Sequence, residues 1–107
     1  MIAPRPKLWL YTLPTDMRKS FDGLIALVRN KMNQRPEDGT GYLFVNRRKT
    51  MLKLIYFEMH GYCIWHKRLE AGQFNFSQTG QAVQLNQTDF NALIEGIKIK
   101  KVRQFKR

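Results

Sequence analysis

The chain reads as an α+β fold: a mainly antiparallel β-sheet of four to six strands, one helix packed on it over about residues 21–33, a short C-terminal helix and a basic tail. Three observations predict this. Between Tyr42 and Leu69 the apolar and aromatic residues come in short runs fenced by turn residues, the pattern of paired strands. From Phe21 the apolar period lengthens to that of a helix. The length, 107 residues, suits one domain, because two halves would each be too small to bury a useful core.

The elements follow in order. Residues 7–12, Lys7-Leu8-Trp9-Leu10-Tyr11-Thr12, are rich in aromatic and apolar side chains and form a first strand between Pro6 and Pro14. Phe21, Leu24, Ile25, Val28 and Met32 then fall on one helical stripe. Ser20 is placed to cap it, and Asp22 in the first turn suits the positive end of the helix dipole. Gly23 in the same turn points to a close approach. The helix ends before Pro36, and residues 36–41 make a loop.

Tyr42–Val45, Met51–Glu58 and Tyr62–Leu69 are three further strands, with His60-Gly61 as a hairpin turn. Both faces of Met51–Phe57 are largely apolar, which places this strand inside the sheet with cover on both sides at one end. Phe74 and Phe76 alternate with polar neighbours and are read as pairing with Val83 and Leu85 in a second hairpin. A last helix begins near Thr88 as N-cap, carries Phe90, Leu93, Ile94 and Ile97, and stops at Gly96. The domain is thus 1–97 and the tail 98–107.

Charge is the unusual feature. Against 19 Lys and Arg stand 8 Asp and Glu, a formal +11. Such a balance points to a polyanion, nucleic acid before an anionic membrane surface. Lys98, Lys100, Lys101, Arg103, Lys106 and Arg107 crowd the tail; without residues 98–107 the body keeps 13 basic and 8 acidic residues, or +5. Arg47-Arg48-Lys49 with Lys53, and Lys67-Arg68, lie on neighbouring strands. No apolar run reaches the roughly 18 to 20 residues that cross a bilayer. No apolar signal core precedes the early prolines, and a single Cys63 excludes an intrachain disulfide framework. A cytoplasmic protein without a membrane partner is the expectation.

Enzyme motifs are absent. His60, Cys63 and His66 have an H-x2-C-x2-H spacing, but residues three apart on a strand project to opposite faces, so no metal site is assigned. Neither a phosphate-binding glycine loop nor an activated nucleophile is evident, and no cofactor is expected. A metal-dependent nuclease would draw on Asp16, Glu58 or Glu70, acids too scattered to single out a triad. Nucleic-acid binding fits better: Arg47, Arg48, Lys49, Lys53, Lys67, Arg68 and the tail cations suit phosphate oxygens. Most of the interleaved aromatics are needed for the core.

Thr15-Asp16-Met17-Arg18-Lys19-Ser20-Phe21-Asp22-Gly23-Leu24 closely resembles the T-D-M-R-K-G-F-D-G-L signature of the TnpB accessory proteins, the second open reading frame of IS66-type bacterial insertion sequences. (The RNA-guided nuclease of the same name is unrelated.) Leu43–Lys49 through Tyr56 is similar to that family's basic strand pair. Lys67-Arg68-Leu69-Glu70 with Gly72 and Phe74 resembles its K-R-L-E-x-G-x-F block, and Leu93–Ile97 its C-terminal helix. Ser20 departs from the usual Gly, and Met51 stands where a polar or basic residue is common, interrupting a continuous basic stretch. Motif membership carries over to Asp16, Arg18, Lys19, Phe21, Asp22, Gly23, Lys67, Arg68, Leu69, Glu70 and Gly72, but no catalytic role does.

The resemblance implies a non-enzymatic accessory protein that acts in transposition with a separate transposase and other proteins of the element, and the charge implies DNA as its partner. The alternative is an adaptor that docks the transposase or a sister protein without strong DNA binding; a small nuclease is the remotest option. Oligomeric state is not legible. Asp16 and Asp22 around Arg18-Lys19, and Glu70 after Lys67-Arg68, are expected to form ion pairs tying the helix start to the third of these strands, 62–69.

Overall fold

The computed structural model describes residues 7–95. Its elements are β1 (Leu8–Tyr11), α1 (Phe21–Asn30), a single 3-10 turn (Pro36–Asp38), β2 (Gly41–Val45), β3 (Met51–Glu58), β4 (Gly61–Arg68), β5 (Ala82–Leu85) and α2 (Gln87–Ile94). The strands form one five-stranded sheet in the order β4-β3-β2-β1-β5. The fold is α+β, as the patterning predicts. All neighbours are antiparallel except β1 and β2, which α1 joins as a crossover and which therefore run parallel.

Two apolar clusters, one on each face of the sheet, form the core. On one face α1 lays Leu24, Val28 and, beyond its end, Met32 against Tyr11, Tyr42, Phe44 and Ile55. On the other, Phe74, Phe90 and Leu93 cover Leu8, Leu10, Leu43, Val45, Leu52 and Leu54. Every residue of β2 is buried, and so are Leu52, Leu54 and Ile55 of β3. Cover on both sides of β3 is therefore confined to Leu54 and Ile55 near its middle, since Met51, Lys53 and Phe57 on the α1 side are only half-buried, whereas β2 is covered throughout. Gly41 is required here by space: a Cβ would lie 2.7 Å from Leu8 Cδ2 and 3.0 Å from Leu54 Cδ1.

Several local expectations are corrected. The helix stops at Asn30 rather than Met32 or Asn33, because the chain turns left-handed at Asn33 (φ 56°) and Gln34 N–H returns to the Val28 carbonyl at 3.0 Å. Ser20 occupies the N-cap position but its hydroxyl makes no capping bond. Phe21, first of the predicted stripe, is 44% exposed. Gly23 makes room not for backbone but for the Lys19 side chain, whose Cβ lies 3.1 Å from where a Cβ would stand.

The β3–β4 turn falls one residue early. Glu58 pairs with Gly61, so Met59 and His60 are the turn residues, both left-handed at φ 54° and 72°. Phe74–Phe76 form no strand. Thr12 Oγ1 donates to the Gln81 carbonyl at 2.7 Å and accepts from Gly80 N–H at 3.0 Å. That clamp brings β5 beside β1, so Val83 faces Leu10 rather than a phenylalanine strand. In α2 the cap is Asn86, not Thr88: its side chain accepts from Asp89 N–H at 2.7 Å while Asp89 accepts from Asn86 N–H at 3.3 Å, a capping box. Gly96, Ile97 and the tail lie outside the described residues.

Candidate nucleic-acid interface

The connection between β2 and β3 is a tightly organised tip. Asn46 Oδ1 accepts from the backbone N–H groups of Thr50 (2.8 Å) and Met51 (3.0 Å), and its amide donates to Thr50 Oγ1 at 3.1 Å. Such side-chain to backbone bonding is what makes Asn favourable in turns. Lys49 takes a left-handed conformation (φ 61°) and closes the turn through its N–H to the Asn46 carbonyl at 3.0 Å. Arg47 and Arg48 stand exposed on this tip. Among the described residues neither guanidinium has an ion-pair partner.

Two segments brace the tip from either side. From the β4–β5 connection, Leu69 N–H donates to the Thr50 carbonyl (2.8 Å), Phe74 N–H to the Lys49 carbonyl (2.7 Å) and Gln73 Nε2 to the Arg48 carbonyl (2.8 Å). Gly72, left-handed at φ 79°, permits the bend between these contacts, and buried Phe74 anchors it. From the β1–α1 connection, Thr15 N–H donates to the Val45 carbonyl at 2.9 Å. Lys53 Nζ donates to the carbonyls of Met17 and Lys19, each at 2.8 Å. The 15–24 and 67–74 motifs thus converge on one hairpin.

The predicted cations divide by what holds them. Lys49 Nζ bonds the Phe76 carbonyl at 3.0 Å and lies 4.4 Å from the Phe76 ring centroid. Lys67, on the opposite sheet face, reaches the Ile94 carbonyl at the C-terminal end of α2, 3.4 Å away, where a helix dipole favours a cation. Lys53 is committed to the β1–α1 connection. Arg68 pairs with Glu70 at 3.2 Å and Arg18 with Asp16 at 2.7 Å, both exposed pairs. The expected ion pairs between elements are therefore absent among the described residues. Carboxylates two residues from an arginine are captured locally, and a lysine–carbonyl contact ties α1 to the sheet instead. Sequence reading missed this because backbone carbonyls carry no residue signature.

Register settles which cations share a face. Lys53 pairs with His66 and Met51 with Arg68, so these four side chains lie on the α1 side. Partial burial, together with Lys53 and Arg68 nearby, pushes the His66 imidazole below its usual range. The Arg18 side chain and N–H hold the Asp16 carboxyl down at about 2, so it stays ionised.

Two recesses open on this side. One, of about 460 Å³, lies between Pro14–Met17 and the tip residues Arg47 and Arg48. The second, about 400 Å³, is lined by Met51, His66, Arg68 and Glu70. Met51 lines both. Among the described residues no group of three His, Cys, Asp or Glu side chains could hold a metal ion. Asp16, Glu58 and Glu70 thus form no ligand set, and Cys63 and His66 face opposite sides of β4, as their spacing predicts. Among the described residues no helix is long and apolar enough to cross a membrane.

The sequence is similar to two proteins of Sinorhizobium fredii (strain NBRC 101917 / NGR234). It is 33% identical over 92 residues to uncharacterized protein y4hO, covering 85% of this chain and 80% of that one. It is 29% identical over 107 residues to uncharacterized protein y4jC, covering 97% and 92%. No solved structure matches. The model of the family described as IS66 Orf2 like protein matches residues 6–104, and with that match the motif blocks braced around the β2–β3 tip have their explanation: the chain belongs to the IS66 Orf2-like family, the accessory open reading frame of a transposable element.

Proposed function

We propose that this accessory protein is non-catalytic and binds DNA, presenting Arg47 and Arg48 to phosphate oxygens with Arg68 and the basic tail in support, while a separate transposase performs the chemistry. The observation that carries the proposal is the braced tip. Two arginines without ion-pair partners among the described residues sit on a turn in which the carbonyls of Asn46, Arg48, Lys49 and Thr50 all accept hydrogen bonds. Their phosphate contacts therefore require little further ordering of the backbone. Lys49, Lys53 and Lys67 contribute to the positive field while their ammonium groups serve the fold.

Titration of labelled DNA at two salt concentrations tests this. If the tip, Arg68 and the tail neutralise about six phosphates, log K falls with log[salt] at a slope near −5. Deleting residues 98–107 weakens binding without abolishing it, because the body retains +5. Complete loss on truncation makes the folded part a protein adaptor instead. The sheet edge favours that second reading: β4 is an eight-residue strand paired only with β3 among the described strands, open to strand addition by another protein.

A further inference from the structure

The recess beside the tip has a composition that phosphate binding alone does not require. Half-buried Pro14, Met17 and Met51 give it an apolar portion, set beside half-buried Asn46 and Thr50, while Asp16, Arg47 and Arg48 line it as exposed charges. Met51 packs into neither core cluster, yet it lines both recesses. Its thioether is therefore available to the opening rather than consumed by the fold. A duplex keeps its bases stacked and offers mainly phosphates, whereas apolar side chains flanked by arginines match an unstacked base with its phosphate. A volume of about 460 Å³ is adequate for one nucleotide.

The polar groups give the site a direction. Asp16, ionised and fixed by Arg18, repels phosphate and accepts hydrogen bonds, and the exocyclic amino group of cytosine or adenine is a matching donor. Arg47 and Arg48, on the other wall, attract the phosphate. Thr15 also lines the recess and is 5% exposed; its hydroxyl is buried without a hydrogen-bond partner among the described residues, leaving polar capacity unused there. Across Met51 the second recess offers Arg68 and His66 to the next nucleotide.

We propose that this cleft holds one unstacked nucleotide of single-stranded DNA, its base on Met17 and Met51, its phosphate on Arg47 and Arg48, and an amino-bearing base edge toward Asp16. The proposal rests on the DNA-binding reading above and specifies the form of DNA. Fluorescence anisotropy of the full chain with oligo(dC), oligo(dT) and a matched duplex at pH 7.5 tests it. Single strands bind more tightly than duplex, with oligo(dC) ahead of oligo(dT). Met51→Ala, which leaves charge unchanged, weakens single-strand binding about tenfold, the low end of the loss for an aromatic base contact, and leaves duplex binding alone. Asp16→Ala, which removes the acceptor, erases the preference for oligo(dC) whatever it does to overall affinity. Met51→Gln repeats the first test should the alanine variant fail to fold. Equal binding of both DNA forms, unmoved by either Met51 variant, overturns the cleft assignment while DNA binding stands. Failure to bind any of the three overturns both.

Discussion

Lys53 Nζ sits 2.8 Å from the carbonyl oxygen of Met17, joining the third strand of the chain to the turn before α1 across 36 positions of sequence. The same ammonium reaches the Lys19 carbonyl at 2.8 Å. Two charge-assisted bonds from one group orient the whole 15–20 segment, and with it one wall of the cleft. Lys53→Met keeps the stem and removes the bonds. The expected loss is about 1–3 kcal/mol of unfolding free energy in urea. A Lys53→Met protein as stable as wild type would show that the contact contributes nothing.

Arg47 and Arg48 present the opposite case. No carbonyl or carboxylate of the described chain holds their side chains, so Arg47→Ala and Arg48→Ala change stability by less than about 0.5 kcal/mol. The double variant instead makes the salt slope of DNA binding shallower by about 1.8. Binding isotherms at several salt concentrations, beside thermal melts, separate the two effects. A large drop in melting temperature with an unchanged slope would make these arginines structural.

Phe74 is 1% exposed although it lies in a segment without regular structure. It fastens the 69–81 connection to the core and, through its N–H on the Lys49 carbonyl, to the tip. Phe74→Ala costs about 3–5 kcal/mol. Hydrogen exchange should show lost protection at Leu69 and Phe74, a signature that a purely local cavity does not produce.

The β3–β4 turn carries avoidable strain, since Met59 and His60 both take left-handed conformations that Asn and Gly adopt readily. Met59 is also 84% exposed and gives up little packing when replaced. Met59→Asn with His60→Gly raises stability by about 1 kcal/mol. Unfolding midpoints at unchanged m-value check this; destabilisation would mean that the two side chains hold the turn by other means.

His66 imposes a pH dependence. Its folded value lies below that of the free imidazole, so between the two the unfolded chain binds the proton more readily. Stability is therefore fully present above about pH 6.5 and declines as pH falls through the folded value. Asp16 acts in the carboxylate range: its contribution is present above the ordinary value of 3.8 and is lost as pH falls toward about 2. Urea midpoints from pH 5 to 8, with His66→Gln as reference, should show the first slope flattened in the variant.

Much of this protein is determined by the sequence alone. The helical stripe of Leu24 and Val28, the runs from Tyr42 to Leu69, and the excess of cations report local periodicity and charge, which neighbours in the chain suffice to define. The motif blocks likewise disclose the family. Only the tertiary structure decided how those pieces meet. That Val83 lies beside Leu10, that Phe74 fills the core from a loop, and that Lys53 caps α1's approach depend on contacts between distant residues. Two of them run through backbone carbonyls, which every residue has and no pattern marks. The acids around Arg18 and Arg68 illustrate the same limit: composition offers the charges, but a carboxylate two residues away reaches its arginine before any partner on another element can. Register then divided the cations of β3 and β4 between the two faces, because pairing Lys53 with His66 and Met51 with Arg68 sets which side chains lie together beside the cleft.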